Sequence, residues 1–385
     1  MFSCWISNYA LQITKVDGND EESIFVSIFQ WPAVILYDAH IPLSQYSGII
    51  TEELMPLDGR KITKKVLLET GARALFVRSV TPINDELIAG TSIRFVGTTT
   101  AGYEHVDVQS LRKKGIAFAY APGSNAMPVV EYVFFALHEW MASQNQSLKG
   151  KTIGIIGMGE IGKRIAKMCK KMGMNVLASD PPLESYGLMK SEDYELTSLR
   201  DICRESDCIT IHSALTYSGL FPSINLLQDT HFTSMKRGAL LIQASRGGIV
   251  HETSLLNALH TNDLHLAIDV WNGEPSWNQQ IANHPRAFMT TPHIAGYTSS
   301  ARKRGIEMIV QQYCEFYGME CSLKHSVGEG VSFQYPDVMS LLRERRFNKD
   351  KMEWLKGKEI DAQMFDEGRR LFMHDQETFA EISLS

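Results

Sequence analysis

Paired cysteines are missing from this chain. Its six, at Cys4, Cys169, Cys203, Cys208, Cys314 and Cys321, include no C-x-x-C couple, which argues against a zinc ribbon or a disulfide framework and fits buried thiols of a reducing compartment. An excess of positive charge is missing too. Lys and Arg number 38 against 44 Asp and Glu, for a net charge of −6. Neither nucleic acid nor an anionic membrane is therefore an expected partner, although a small anionic substrate needs only one local basic patch. The longest greasy stretch, Val129 to Leu137, contains Glu131 and falls far short of a bilayer span. The opening MFSCWISNYALQITKVDGNDEE has no basic n-region and no long apolar core, so no secretory signal is expected and a cytoplasmic location is. Repeats and low-complexity segments are absent.

What is present is the composition of a globular protein, 44% hydrophobic and 21% charged, over 385 residues. That length exceeds one ordinary core, and two or three domains are expected. From about Ala33 the chain alternates short β-rich runs with helix-length segments. AVILYD (33–38), ALFVRS (74–79), IRFVGTTT (93–100) and AFAYAPG (117–123) read as strands of a first block. A long buried helix follows, with Val129, Val133, Phe134, Leu137 and Met141 at helical spacing. CITIHS (208–213), ALLIQAS (239–245), LAIDVW (266–271) and AFMTTPH (287–293) are strands of a second block. Strands alternating with helices imply parallel, doubly wound sheets, here in two α/β domains with a cleft between them.

The segment Lys151 to Asp180 is the most informative. It reads strand, glycine turn, amphipathic helix, strand, acid, with Gly157, Gly159 and Gly162 in G-x-G-x-x-G spacing. In that context the glycines make the turn, admit a pyrophosphate to the backbone, and let helix and strand pack closely. The helix N-terminus offers unpaired N–H groups and a positive dipole end to the phosphates. Asp180, 18 positions after Gly162 (180 − 162), is placed to accept hydrogen bonds from a ribose and to repel a 2′-phosphate, which selects NAD over NADP. The plainer alternative is a glycine turn in an ordinary α/β protein.

In such sheets ligands sit at the carboxyl ends of strands, which directs attention to Asp180, Ser213, Arg246, Asp269 and His293. Three motifs stand there: QASRGGIV (243–250) with Arg246, AIDVWNGEP (267–275) with Glu274, and TPHIAGYT (291–298) with His293. Singly, the arginine could cap a helix, the glutamate could be solvated in its turn, and the histidine could be a loop residue. In order, each at a strand end after a dinucleotide fold, they form a catalytic set. His293 would exchange the substrate hydroxyl proton, Glu274 would fix its tautomer and stabilise the imidazolium, and Arg246 would grip a carboxylate bidentately.

On these motifs the sequence resembles the D-2-hydroxyacid dehydrogenase superfamily. Further segments, RSVT (78–81), GTTTAGYEHVD (97–107), APGSNAMPVVEYVFFAL (121–137) and SDPP (179–182), are similar to the branch that oxidises a phosphorylated four-carbon 2-hydroxy acid in vitamin B6 biosynthesis. The resemblance implies a Rossmann-type NAD domain (126–295), a flavodoxin-like substrate domain (34–125 and 296–320), and a small C-terminal α+β dimerisation region (321–385), with residues 1–33 extra. It implies NAD contacts at Gly157, Gly159, Glu160, Ile161, Gly162, Asp180, Ser213, Ala244, Ser245, Arg246, Asp269 and Gly296. Substrate contacts are implied at Ser79, Thr100 and Tyr297, with Arg78, Arg369 and Arg370 as phosphate candidates, in a homodimer. For Asp269 a turn-capping role stands beside the cofactor role. The charged tail reads equally as a third domain, a partner arm or a solvated helix. Other 2-hydroxy acids (3-phosphoglycerate, glyoxylate, hydroxypyruvate) and a non-catalytic NAD-sensing scaffold are the competing functions.

Overall fold

The computed structural model describes the backbone of strands 3–6, 9–16 and 23–29, and residues 34–188, 191–321, 323, 335–354, 360–375 and 377. The chain divides into two compact units. One comprises residues 1–121 with 306–324, and the other residues 122–305 with 325–385.

The first unit opens with β1 (Ser3–Ile6), β2 (Tyr9–Val16) and β3 (Ser23–Phe29), which pair antiparallel as a separate sheet. Its main sheet is built from β4 (Val34–Asp38), β5 (Glu53–Leu57), β6 (Ala74–Val77), β7 (Phe95–Thr98) and β8 (Ala117–Ala119), all parallel in the order β5-β4-β6-β7-β8. That is the flavodoxin-like order of a doubly wound sheet. Successive side chains of a strand point to opposite faces, and both faces here are buried. Ile35, Tyr37, Phe76 and Phe95 pack on one side with Ile309, Val310 and Tyr313 of the helix Ser299–Tyr317, while Leu36, Leu75, Val77 and Val96 pack on the other. Strand β5 did not stand out in the sequence. It is an edge strand, partly exposed and carrying Pro56, which a central strand would not tolerate.

The second unit holds β9 (Thr152–Ile156), β10 (Asn175–Ser179), β11 (Glu195–Leu196), β12 (Cys208–Ile211), β13 (Leu240–Gln243), β14 (His265–Ile268) and β15 (Ala287–Thr290), parallel throughout in the order β11-β10-β9-β12-β13-β14-β15. The order reverses at β9, the switch point where doubly wound sheets bind ligands. Ile153, Ile155, Val176, Ala178 and Ile242 face a core shared with the helix Ala126–Ser143, and Leu177, Ile209, Ile211, Leu241 and Leu266 face the other. The expected long helix is that buried element, apolar nearly all round because it lies within the core.

Of the α+β region expected after position 321, the described residues are helical: Tyr335–Arg345, Lys349–Trp354 and Ala362–Arg370. Met339, Leu342, Phe347 and Phe372 join the core around the helix Ala126–Ser143, so this segment is built into the second unit. Among the described residues no helix is long and apolar enough to cross a membrane.

Candidate active site

The site residues of the second unit lie along one edge of its sheet. Read across neighbouring strands, the carboxyl ends carry Asp180 (β10), Gly157 (β9), Ser213 (β12), Arg246 (β13), Asp269 (β14) and, after β15, His293. Adjacent strands are about 4.8 Å apart, so Asp180 and Asp269 are separated by four such spacings.

At the switch point each glycine has its own reason. Gly157 has φ +94°, and a Cβ there would come within 2.5 Å of the Ser213 backbone nitrogen. A Cβ on Gly162 would lie 2.1 Å from the carbonyl oxygen of Gly157. Gly159 differs, since a Cβ there would meet nothing within 4 Å. Its side faces open space, as backbone approach of a pyrophosphate requires. Gly159 is the N-cap of the helix Glu160–Lys171 and no side chain caps that end, which leaves the N–H groups at Glu160 and Ile161 directed outward. The Glu160 carboxylate itself turns along its helix to Arg164, at 2.6 Å.

Asp180 is held on two sides. Its Oδ2 accepts from the Met158 N–H at 2.8 Å and its Oδ1 from the Leu183 N–H at 3.0 Å, which ties the acid to the glycine loop and caps the next helix. Each oxygen keeps a second lone pair for a ribose hydroxyl. At the end of β12 the Ser213 hydroxyl is buried with no hydrogen-bond partner, and so is Nδ1 of His212. Burial pushes the His212 ring down to about 3, so it is neutral. An orphaned hydroxyl between the glycine turn and β13 is a place for a polar ligand atom. The open Gly159, the uncapped helix end and the orphaned Ser213 fit a dinucleotide.

Arg246 sits in a turn braced by Gln243, whose Nε2 donates to the Arg246 carbonyl at 3.0 Å and whose Oε1 accepts from Ser245 at 3.0 Å. Ala244 is buried beneath it. Gly247 packs so closely on the Trp271 carbonyl that a Cβ would lie 1.9 Å from it. The arginine turn is thereby pressed against the turn that carries Glu274. The Arg246 Nη1 donates to the Ser245 carbonyl at 2.8 Å.

Glu274 and His293 meet directly, Oε2 to Nδ1, at 2.7 Å. The other Glu274 oxygen accepts from the Trp271 N–H at 2.9 Å. Burial alone would push this carboxyl up, but the hydrogen bond and charge of His293, the Trp271 N–H and the charge of Arg369 hold it below its ordinary value. The carboxylate therefore accepts a hydrogen bond from Nδ1–H, and Nε2 is the ring nitrogen left for a substrate.

His293 has a left-handed backbone, φ +57°, which costs a non-glycine residue on the order of 1 kcal/mol or more. Asp269 shows what holds it. This carboxylate is buried and accepts from Thr291 Oγ1 (2.6 Å), Ile294 N (2.7 Å) and Ala295 N (2.8 Å), while its carbonyl accepts from His293 N (2.7 Å). Burial pushes its carboxyl up, against the nearby His293 and these donors. Asp269 thus organises the histidine turn, a role the sequence offered only as a turn cap. Behind that turn, Arg346 donates to the carbonyls of Ile294 (3.4 Å) and Ala295 (3.1 Å). No motif pointed to Arg346, and Thr291, which opens the TPHIAGYT motif, was not among the residues singled out there. Gly296 is needed for packing, since a Cβ would come 2.6 Å from the Asn125 side-chain nitrogen.

Tyr297 follows in the same turn, with the Arg369 guanidinium carbon 5.0 Å from its ring centre. Ser79 and Thr100 belong to the first unit, just past the ends of β6 and β7. Thr100 donates to the Gly102 carbonyl at 2.7 Å and Ser79 is exposed.

Residues 133–295 match the family model described as D-isomer specific 2-hydroxyacid dehydrogenase, NAD binding domain. Erythronate-4-phosphate dehydrogenase of Proteus mirabilis is 38% identical over 285 residues, 74% of this chain and 74% of that protein. The protein of the same name from Pseudomonas savastanoi pv. phaseolicola is 38% identical over 291 residues, 75% of this chain and 74% of its own. The chain belongs to the D-isomer specific 2-hydroxyacid dehydrogenase family. It is an NAD-dependent oxidoreductase of that family. Solved structures agree on the fold. A D-lactate dehydrogenase from Aquifex aeolicus, complexed with NAD and lactic acid, superposes with TM-score 0.60 at 23% identity, covering 74% of this chain and 95% of that one. An NAD⁺-bound 3-phosphoglycerate dehydrogenase from Entamoeba histolytica gives TM-score 0.62 at 21% identity, covering 75% and 96%.

Proposed function

We propose that the chain oxidises 4-phospho-D-erythronate to (R)-3-hydroxy-2-oxo-4-phosphooxybutanoate with NAD, a step of vitamin B6 biosynthesis, with Arg246, Glu274 and His293 as its catalytic residues. The observation that carries the chemistry is the 2.7 Å bond between Glu274 and Nδ1 of His293. The substrate follows from relatives named for it at 38% identity across three-quarters of their length.

Nε2 of His293 would take the proton of the C2 hydroxyl oxygen as the C2 hydride departs, and Glu274 would stabilise the imidazolium that forms. Arg246 binds the C1 carboxylate with its planar fork and draws electron density toward it as the carbonyl develops. Bound NAD supplies the hydride acceptor, held by the glycine loop, Asp180 and Ser213. In the reverse direction His293 returns the proton to the ketone. Ser79, Thr100 and Tyr297 are assigned to the substrate. The same reading makes the protein a cytoplasmic homodimer, which its mass in solution tests.

The functional test offers NADH with the phosphorylated four-carbon 2-oxo acid, phosphohydroxypyruvate, hydroxypyruvate and glyoxylate, and compares kcat/KM. The highest value is expected for the first. A preference for glyoxylate or unphosphorylated hydroxypyruvate overturns the substrate assignment. His293→Ala is expected to abolish turnover with NADH affinity intact, and Arg246→Ala to raise KM and lower kcat together.

A further inference from the structure

Tyr132 stands within the core helix Ala126–Ser143, fully buried, with a hydroxyl that burial obliges to find a partner. Its ring lies edge-on to Phe347, with ring centres 5.9 Å apart. Among the described residues the phenol has one hydrogen-bond partner, Thr291 Oγ1 at 3.0 Å. Thr291 is itself fixed by its backbone. Its N–H donates to the Ile268 carbonyl at 2.9 Å, and its carbonyl accepts from the Trp271 indole at 2.9 Å. What remains to be set is the direction of its hydroxyl hydrogen.

The hydrogens along this series have one favoured arrangement. Thr291 has a single hydrogen to give. The Asp269 carboxylate receives it at 2.6 Å, whereas the Ile268 carbonyl is 3.4 Å away. Tyr132 must therefore donate to Thr291, and the series runs one way, from phenol to hydroxyl to carboxylate. Burial, and after it the charge of Asp269, push the Tyr132 phenol up, so it stays a donor at any working pH. A hydroxyl that accepts one hydrogen bond is the stronger donor of the next.

The far end of the series is where function enters. The same carboxylate holds the N–H groups of Ile294 (2.7 Å) and Ala295 (2.8 Å), directly after His293. Among the described residues Thr291 is the one side chain that donates to it. The charged groups about this turn are His293 with its partner Glu274, and the Glu131–Arg346 pair, whose arginine donates to the Ala295 carbonyl.

We propose that Tyr132 is a positioning residue for His293, directing the Thr291 hydroxyl onto Asp269 so that the carboxylate keeps the two N–H groups that fix the histidine turn. This role rests on the assignment of His293 to proton exchange.

The test reads the reducing direction, with NADH and the 2-oxo acid that is turned over best. His293 must be protonated there, so a loss of kcat toward low pH reports a carboxylate rather than the imidazole. Tyr132→Phe keeps the ring and is expected to lower kcat roughly 5-fold, with NADH affinity within about twofold of the wild type. Its acid limb should move to higher pH, since burial already pushes the Asp269 carboxyl up and the variant weakens a donor that opposes it. Thr291→Val deletes the link and should lower kcat roughly 10- to 100-fold, and Thr291→Ser should recover most of that. In Tyr132→Phe/Thr291→Val the loss should equal that of Thr291→Val alone, because the phenol acts through the hydroxyl. Losses that multiply, an unmoved acid limb, or an unchanged kcat in Tyr132→Phe each overturn the proposal and leave the tyrosine as packing. If Thr291→Val does not fold, the acid limb of Tyr132→Phe decides by itself. Retained turnover in His293→Ala is a separate failure, which removes the proton-exchange assignment and this role with it.

Discussion

Glu131 and Arg346 form an ion pair at 2.8 Å with both side chains wholly removed from solvent, across 215 positions of sequence. Arg346 also donates to the carbonyls of Pro128, Ile294 and Ala295. It therefore joins the core helix Ala126–Ser143 to the turn that follows His293. Removing one partner strands the other charge, at a cost of about 3–5 kcal/mol. Arg346→Met should lower the denaturation midpoint by that order and reduce kcat as the histidine turn loosens. The double variant Glu131→Leu/Arg346→Met should regain much of the stability but not the kcat, because the carbonyls of Ile294 and Ala295 remain without their donor. Recovery of both would show that the arginine serves stability alone.

Glu274→Gln keeps the size of the side chain and removes its charge. A roughly 100-fold loss in kcat is expected with little change in NADH affinity, measured by steady-state kinetics and fluorescence titration. The stability consequence has a definite sign. The folded carboxyl titrates below its ordinary value of 4.5, so the stability it lends is complete above that pH and is lost as pH falls through the lowered value. The gap in thermal midpoint between wild type and Glu274→Gln should narrow as pH drops below 4.5.

Two glycines of one motif, Gly159 at the N-cap and Gly162 within the helix, should behave oppositely. Gly162→Ala sets a Cβ 2.1 Å from a backbone oxygen, and both thermal midpoint and NADH affinity should fall. Gly159→Ala meets nothing within 4 Å in the protein. It should fold normally and lose at least about tenfold in NADH affinity, since the methyl stands where the pyrophosphate approaches. Unchanged NADH binding in Gly159→Ala would place the cofactor elsewhere.

Asp180→Asn retains an acceptor for its helix cap but no longer repels a 2′-phosphate. The ratio of kcat/KM for NADPH to that for NADH should rise. A thermal scan should show a loss of about 1 kcal/mol or more, because the amide oxygen can accept from only one of the Met158 and Leu183 N–H groups and the NH2 cannot accept from the other.

Much of this was written in local spacing. The glycine loop, Asp180 and the turns carrying Arg246, Glu274 and His293 each occupy a few consecutive residues at the end of an apolar run, and eight expected strands appear within a few residues of their expected ends. Other features were not local. Strand β5 is an edge whose short apolar run is interrupted by Pro56, and β11 is two residues long. Glu131 stood out only as an acid within a greasy stretch, because its partner lies in the charged tail, whose place in the fold composition left open. Arg304 and Glu377 are another such couple, at the foot of the histidine turn, where Glu377 also accepts from Thr298 at 2.9 Å. Periodicity reports which face of an element is covered and says nothing of what covers it.

The row from Asp180 to His293 has a consequence for engineering. The separation between Asp180, proposed to read the ribose, and His293, proposed to move the proton, follows the backbone ladders between parallel strands, a scale that no rotamer can stretch. Substitutions at the strand tips can therefore exchange one 2-hydroxy acid for another while the reach of the nicotinamide stays constant. A residue inserted within β12 or β13 would leave that spacing unchanged and instead shift the tip of its own strand, taking Ser213 or Arg246 out of the row.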